Sequence, residues 1–265
     1  MRLPVYACVL LAMLAVPAFA QGPFDTNGRY DAAADMRGDA EQIFAMANRA
    51  RRIAGAPPLQ WDPALAQAAL QHCRRMVEEG EIAHRYGGEP DLTERAANAG
   101  ARFGVIEENI AIGPSAAGIH EEWMNSPGHR SNLLSPDVNG MGVAVLSARG
   151  VLYAVADYAQ EVPALSAAQV EARVANLVRV SGITIGGNTA YARAACAMNS
   201  GLPSGVAGQQ PRFIMRWQDP DLNTLPKDLA DRLSTGNYRM ATIGSCPAQT
   251  GAGGFSAYRV AVLLF

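Results

Sequence analysis

Two histidines and one carboxylate are the side chains of this sequence with the clearest chemical potential. His84 follows the apolar pair Ile82-Ala83, and His129 ends the segment Trp123-Met-Asn-Ser-Pro-Gly-His129. Neutral imidazole is the commonest transition-metal ligand in proteins, so two converging rings could hold part of a Zn²⁺ site. Glu108 could complete such a site or orient one ring through its second nitrogen. Taken alone, histidines this far apart in sequence fit a hydrogen-bonded, metal-free cleft better.

A nucleophilic site is the second chemistry to consider. Ser126 precedes His129 by three positions, and a Ser/His pair can supply a nucleophile and its base. However, Ser126-Pro-Gly is typical of a helix stop and turn in which the hydroxyl caps backbone groups. The sequence also lacks a Gly-x-Ser-x-Gly elbow. Cys73 is a poor candidate because it is predicted to be buried on a helix face. A non-enzymatic site is therefore preferred, with hydrolysis as the alternative.

The first 20 residues are typical of a secretory signal peptide. Arg2 gives a positive start, residues 5–16 are an apolar core too short for a comfortable membrane span, and Ala18-Phe-Ala20 fits a cleavage site. No later apolar run has the length of a membrane span. We therefore predict a secreted or periplasmic protein without a stable membrane anchor.

Charge and cysteines narrow the possible partners and the redox state. The formal net charge of −2 argues against nucleic acid as a partner, because phosphate binding needs a basic surface. An exported protein can keep disulfides. Cys73 lies on the apolar stripe of a predicted helix and is expected to be a buried free thiol. Cys196 and Cys246 are then the expected disulfide pair.

Helical patterns precede strand patterns, which predicts an α+β fold. Helices are expected at 39–54, 62–80, 92–99 and 115–125, followed by a hairpin of strands 140–147 and 151–158. Pro163 and the capping box Ser166-Ala-Ala-Gln169 mark a new segment with one further helix, three strands and a short helix. The predicted organisation is a signal peptide (1–20), a mobile arm (21–38), a main domain (39–162) and a small disulfide-stapled α+β domain (163–265).

Ordered motifs in residues 39–160 resemble the CAP superfamily, also called SCP-like extracellular domains (cysteine-rich secretory, antigen 5 and pathogenesis-related proteins), in its bacterial branch. Each motif is weak alone, and their order makes the resemblance specific. The motifs are Asn48-x-x-Arg51, Leu59-x-Trp61-Asp62-x-x-Leu65, Met76, His84, Glu108-Asn109-Ile110-Ala111, Trp123-Met-Asn-Ser-Pro-Gly-His129-Arg130, Gly142-Val143 and residues 153–158.

The resemblance implies a three-layer α-β-α sandwich with a mostly antiparallel sheet and a shallow cleft. In that family the cleft often holds two histidines and two acidic residues. The matching positions here are His84, His129 and Glu108. The second acidic position is occupied by Ser126, so this sequence departs from the full set of four.

Around these residues, Asn109 is expected to tie down a loop, and Arg130 to brace the cleft against a carboxylate or backbone carbonyls. His72 is expected at the surface or rim. The function implied is a non-enzymatic extracellular binding module for a divalent metal such as Zn²⁺, a small ligand or a partner protein. The alternatives are metal-assisted hydrolysis of a cell-envelope polymer or peptide, and lipid or sterol binding.

Overall fold

The computed structural model describes residues 32–204, 210–249 and 254–265. The predicted signal peptide lies outside the described residues, as does residue range 21–31 of the predicted arm. The first helix begins at Ala32, inside that arm. Among the described helices, none combines the length and the apolar character that a membrane crossing requires.

The first half of the chain (residues 32–162) forms a four-stranded sheet with helices on both faces. The strand order is β1-β3-β4-β2, with β1 parallel to β3 and the other neighbours antiparallel. Its elements are α1 (Ala32–Ala54), β1 (Gln60–Trp61), α2 (Pro63–Glu79), α3 (Leu92–Asn98), β2 (Phe103–Gly113), α4 (Ala116–Asn125), α5 (Pro127–Leu134), β3 (Gly140–Ala148) and β4 (Val151–Glu161).

The ends of α2 follow directly from the sequence. The Asp62 side chain accepts hydrogen bonds from the backbone N–H groups of Ala64 and Leu65, at 2.7 and 3.2 Å. Pro63 occupies the first turn, where its missing N–H costs nothing. Gly80 ends the helix with a φ of 79°, a left-handed conformation that glycine adopts without strain. The predicted caps of α2 are confirmed.

The two faces of the sheet are covered by different helices. On one face, Ala154, Ala156 and Tyr158 of β4 pack with Ile43 of α1 and Trp123 of α4. The alternate residues of β4 point to the other face, because side chains alternate along a strand. There α2 packs on the sheet through a second cluster that includes Cys73, Met76, Ala144, Tyr153 and Val155. The structure thus has the α+β, three-layer arrangement expected for this half.

Three elements of the first half were missed in the sequence, and the shortest is the two-residue strand β1. Residues 103–113 form the edge strand β2, although Glu107, Glu108 and Asn109 interrupt its apolar pattern. Residues 127–134 form the helix α5, which the sequence predicts as a turn. Pro127 stands at the first position of α5, so the Pro-Gly pair that ends one helix also begins the next.

The second half (residues 163–265) repeats the arrangement of the first. Its strand order is β5-β7-β8-β6, again with the first pair parallel and the others antiparallel. One helix packs on one face of this sheet and two helices pack on the other. The elements are α6 (Ala167–Arg179), β5 (Thr184–Ile185), α7 (Thr189–Ala197), β6 (Phe213–Asp219), α8 (Lys227–Ser234), β7 (Met240–Cys246) and β8 (Tyr258–Leu264).

Equivalent glycines mark the repeat at the level of single residues. Gly142 of β3 lies against α2, where a Cβ atom would overlap the backbone of Leu65 and Ala66. Gly244 of β7 lies in the same way against the backbone of Ala192 in α7. In each half one helix therefore approaches its sheet at a glycine, although the sequence shows no internal repeat.

The cysteine predictions are confirmed. Cys196 at the end of α7 and Cys246 at the end of β7 form a disulfide with a Cα–Cα distance of 5.8 Å. Cys73 is a buried free thiol that donates to the backbone oxygen of Tyr153 at 3.2 Å. Burial raises the pKa of Cys73 to about 12, so this thiol is inert at neutral pH.

The two halves contact each other near the start of β2. The Ser256 N–H of the second half donates to Phe103 O of the first half at 2.8 Å. The rings of Phe103 and Phe255 pack edge to face with centroids 5.3 Å apart. A hydrogen-bonded and apolar seam therefore joins the halves.

Candidate functional site

Glu108 is the centre of the candidate site. It lies on the edge strand β2, and its side chain is only 3% exposed. One carboxylate oxygen, Oε1, is 2.8 Å from Nδ1 of His84, and the other, Oε2, accepts a hydrogen bond from Nη2 of Arg95. Both oxygens are therefore engaged, and the carboxylate fixes the orientation of the His84 ring.

Arg95 braces the loop that carries His84. It lies in α3, a short helix whose start is fixed by the capping box of Asp91 and Glu94. The Arg95 side chain is 2% exposed. Its Nη1 donates to the backbone oxygens of His84 at 3.4 Å and Pro90 at 3.3 Å. This guanidinium therefore links the strand, the helix and the loop.

Glu89 anchors the same loop from the other side. Its carboxylate accepts from the backbone N–H of Tyr86 at 3.0 Å and lies 2.7 Å from Nδ1 of His72. A second, longer ion pair joins it to Arg95 at 3.8 Å. A chain of side-chain contacts therefore runs under the loop, and basic and acidic residues alternate along it. Its members, in order, are His72, Glu89, Arg95, Glu108 and His84.

The expectation that His72 lies at the surface or rim is wrong. Its side chain is fully buried beneath the loop. Nδ1 faces the Glu89 carboxylate and Nε2 faces the backbone oxygen of Ala83 at 2.9 Å. The ring is therefore held by an oxygen at each of its two nitrogens. His72 is therefore a structural support for the loop.

Asn109 connects β2 to α5 on the opposite face of the sheet. Its Nδ2 donates to the backbone oxygen of His129 at 2.9 Å. Asn132 of α5 donates to Asn109 Oδ1 at 3.0 Å and to the backbone oxygen of Glu108 at 3.2 Å. The predicted anchoring role of Asn109 is seen, but the anchored segment is a helix rather than a loop.

The two predicted histidines differ in electrostatic surroundings. The hydrogen bond to Glu108 raises the pKa of His84, whose side chain is 61% exposed. Burial lowers the pKa of His129, and the nearby charge of His84 lowers it further. The Nδ1 atom of His129 is buried and has no hydrogen-bond partner among the residues that the structure describes. We use "the cleft" below for the surface formed by His84, Glu108 and His129 at the edge of β2.

Ser126 and Arg130 lie near this cleft in roles that differ from those expected. Ser126 joins α4 to α5 through its backbone, donating to Glu122 O at 3.0 Å and accepting from Arg130 N at 2.8 Å. Its side chain makes no capping hydrogen bond, so the predicted hydroxyl cap is wrong. The Arg130 side chain is exposed, and no contact with a described carboxylate or carbonyl supports its predicted bracing role.

The cleft residues fit a metal only in part. His84 and His129 offer ring nitrogens, but both oxygens of Glu108 are held by His84 and Arg95. Across residues 32–204, 210–249 and 254–265, no group of three or more His, Cys, Asp or Glu side chains has a metal-binding arrangement. Glu108 is therefore better placed to orient His84 than to be a third ligand.

Sequence reasoning missed Arg95 and Asp157. Asp157 is fully buried on β4, directly opposite Glu108 of β2. Burial, and secondarily the charge of Glu108, raise the pKa of Asp157 well above its usual value. Each of the two is a charged residue in an apolar stretch of sequence. Asp157 lies within the predicted strand 153–158, and Arg95 directly precedes Ala96-Ala97. A charged residue in an apolar segment was the available signal.

The part of the chain that contains His84, Glu108 and His129 is similar to known proteins. Residues 44–158 match the family model described as "CAP: Cysteine-rich secretory protein family". The chain is 35% identical over 112 residues to "Uncharacterized membrane protein YlbC" of Bacillus subtilis (strain 168), covering 40% of this chain and 31% of that protein. It is 27% identical over 130 residues to "Uncharacterized protein YkwD" of the same organism, covering 48% and 49%. The chain thus spans about a third to a half of the length of these curated relatives.

Similar solved structures include an extracellular protein containing an SCP domain from Bacillus anthracis str. Ames. It has 26% sequence identity, a TM-score of 0.47, and coverage of 53% of this chain and 45% of that chain. A cysteine-rich secretory protein from Staphylococcus aureus subsp. aureus Mu50 has 20% identity, a TM-score of 0.40, and coverage of 47% and 39%.

Proposed function

Because residues 44–158 belong to the cysteine-rich secretory protein (CAP) family, we propose that this chain is an exported, non-enzymatic binding module. Its cleft would recognise a small polar ligand or an acceptor group on a partner protein. The observation that carries this proposal is the His84–Glu108 pair. Glu108 holds Nδ1 of the ring at 2.8 Å, while the side chain stays 61% exposed.

The protonation of the two rings indicates which ligand chemistry the cleft suits. Since the Glu108 hydrogen bond raises the pKa of His84, the ring keeps its second proton to higher pH than a free histidine. Its Nε2–H is then a donor directed away from Glu108. The His129 pKa is lowered by burial, which favours a neutral ring that can accept or donate. A carboxylate, phosphate or carbonyl group on the ligand fits this donor-rich pair.

A divalent metal is the second ligand class for the same cleft. The buried Nδ1 of His129 lacks a partner among the described residues, and neutral imidazole nitrogens suit Zn²⁺. Two protein ligands rarely hold Zn²⁺ tightly, so we expect weak binding that other donors would have to complete. A bound metal would supply Lewis-acid character, and Glu108 would keep the His84 ring oriented.

Export is part of the proposal. The predicted signal peptide at residues 1–20 supports it, as does the disulfide between Cys196 and Cys246, because such bonds persist in oxidising compartments. Detection of the protein outside the cytoplasm, with a mature N-terminus near Gln21, is the expected result of cell fractionation and N-terminal sequencing.

The binding proposal is tested with defined probes and single substitutions. Zn²⁺ and inorganic phosphate are titrated separately into the wild-type protein and the variants H84A and H129A, with calorimetry and NMR shift changes as readouts. We expect at least one probe to bind at these rings and each variant to weaken that binding about tenfold or more, as loss of a ligand or charged donor does. Unaltered binding in both variants would exclude the cleft as the site.

Two matched variants serve as controls. His120→Ala removes a histidine of α4 outside the cleft and should leave probe binding unchanged. Ser126→Ala should also leave it unchanged, because the Ser126 side chain makes no capping bond. If the wild-type protein hydrolyses a peptide or a cell-wall polymer and S126A does not, the hydrolase alternative replaces the binding module.

A further inference from the structure

Asp157 is a buried carboxyl group that the proposed binding role does not explain. Its side chain is fully buried, and neither carboxyl oxygen has a hydrogen-bond donor within the described part of the chain. A buried polar group without a partner is costly, and a buried unpaired charge is costlier still. The position of Asp157 therefore calls for a specific explanation.

The neighbour of Asp157 explains how its oxygens can be satisfied. Asp157 and Glu108 are cross-strand partners in the antiparallel pairing of β4 with β2, so their side chains share one face of the sheet. Adjacent register positions on one buried face bring the two carboxyl groups close together, and the charge of Glu108 contributes to the raised pKa of Asp157. Two ionised carboxylates can only accept, whereas one proton between them makes a donor and an acceptor.

The hydrogen-bond donors around the two carboxyl groups assign that proton. Arg95 supplies one positive charge and donates to Glu108 directly. Glu108 also contacts His84, so both of its oxygens face donors that stabilise the ionised form. Asp157 has no such donor. Glu108 has a donor at each oxygen and Asp157 has none among the described residues, so Asp157 is the carboxyl group that holds the proton.

We propose that Asp157 is the second carboxyl group of the cleft, holding a proton at neutral pH and donating it in a hydrogen bond to Glu108. It lies beneath the edge strand, rather than at the position of Ser126 where the resemblance places the second acidic residue. Asp157 is a positioning residue: the hydrogen bond that it donates keeps Glu108 directed at His84. This inference rests on the proposed function, because the positioning of Glu108 matters only if the His84 ring that it holds binds the ligand.

The protonation state is measured in the intact wild-type protein by infrared spectroscopy. A protonated carboxyl group gives a carbonyl stretch that ionised carboxylates lack. We expect this band at neutral pH, and we expect it to shift when aspartate is ¹³C-labelled. A band that shifts only with labelled glutamate, or no band at all, would overturn the assignment of the proton to Asp157.

Substitutions test the role of the proton. Asp157→Asn keeps a hydrogen-bond donor and leaves the charge at this position at zero. The pKa of His84, measured by NMR, should therefore move by no more than about 0.3 units. Loss of a nearby negative charge would instead shift that pKa by about 1 unit or more. The infrared band should disappear in D157N. Asp157→Leu has no donor, and we expect it to move the His84 pKa and reduce stability relative to D157N.

Asp137→Asn is the matched control, since Asp137 is exposed and should contribute neither to the band nor to the His84 titration. A fall of about 1 unit or more in the His84 pKa of D157N would show that Asp157 is ionised and overturn the proposal. The proposed function fails separately, through unaltered probe binding in H84A and H129A, because the infrared result does not depend on a ligand.

Discussion

The two halves of the chain fill equivalent positions of the same sheet topology with different chemistry. In the first half, Gly142 of β3 contacts the covering helix α2. Its neighbour across the sheet is Asp157 of β4, and the next neighbour is Glu108 of β2. The corresponding positions of β8 and β6 hold Ala261 and Arg216. The first half therefore buries a carboxyl pair under its helix, and the second half buries none at this place.

The consequence is seen at the end of each covering helix and in the loop that follows it. In the first half, Glu108 binds the side chain of His84 and leaves much of the ring exposed. In the second half, Arg216 Nε donates to Ala195 O at 2.6 Å and Arg259 Nη2 donates to Met198 O at 3.0 Å. Side chains of the sheet present a titratable group in one half and bind backbone carbonyls in the other. The same sheet topology thus carries an exposed histidine held by a carboxylate in one half and a loop held by arginines in the other.

The largest expected effect comes from replacing a buried arginine in each half, because one binds a carboxylate and the other binds neutral oxygens. Arg95→Met leaves Glu108 buried without its guanidinium and should cost about 3–5 kcal/mol in the free energy of unfolding. Arg259→Met loses bonds to neutral acceptors and relieves repulsion with Arg216, so about 1–2 kcal/mol is expected. Urea unfolding of both variants measures the difference. Equal costs would mean that the carboxylate partner does not distinguish the halves.

Reduction of the disulfide should affect the second half selectively. Cys196 and Cys246 are separated by 50 residues, and loss of such a bond typically costs about 2–4 kcal/mol. The double variant C196A/C246A should show faster amide hydrogen exchange in residues 163–265, while exchange in α2 and β4 stays slow. Cys73→Ala is the control that removes a thiol without removing a bridge. Uniform loss of protection would show that the halves unfold as one unit.

Truncation after Pro163 tests whether the first half folds alone. Its own clusters on both faces of the sheet are complete, but the contact of Phe103 with Phe255 is lost. We expect a soluble protein with one cooperative melt and a loss of about 1–3 kcal/mol, the scale of exposing one aromatic side chain. A companion variant, Phe255→Ala in the full chain, should reproduce much of that loss. Aggregation of the truncated protein would indicate a shared core.

The smallest effect concerns the titration of the two cleft histidines. NMR should find the His84 pKa above the ordinary value of about 6.5 and the His129 pKa below it. Glu108→Gln should lower the His84 pKa, because a neutral amide no longer favours the imidazolium. If the His84 pKa stays the same in E108Q, Glu108 does not control the ring. The proposed difference between the His84 loop and the loop after α7 would then be wrong.

The sign of the accompanying stability change follows from these directions. His84 binds its proton more tightly in the folded state, so its stabilising contribution is complete below about pH 6.5 and is lost as pH rises through its raised pKa. His129 has the opposite sign: its contribution is present above about pH 6.5 and is lost as pH falls through its lowered pKa. Thermal melts across pH 5–8 in H84A and H129A should show opposite changes in slope.

Local signals in the sequence determined much of the fold. Asp62, Pro63 and Gly80 bound α2 because caps depend on neighbouring residues. Most helices and strands of the second half were found from periodicity and turn residues in the same way. β2 was not found, because the Glu107-Glu108-Asn109 segment in its middle reads as polar. Glu108 and Asn109 are nevertheless buried, because distant side chains and backbone groups supply their hydrogen-bond partners.

The sequence also indicated Glu108 and the two histidines, because each belongs to a short ordered motif. The chain of His72, Glu89 and Arg95 behind them was decided by tertiary structure, since three separate segments meet under one loop. The same holds for Asp157, which is separated from Glu108 by 49 positions and meets it only through strand register. A pairing set by register and burial leaves no local pattern in the sequence, because its energy arises when distant segments share a buried face.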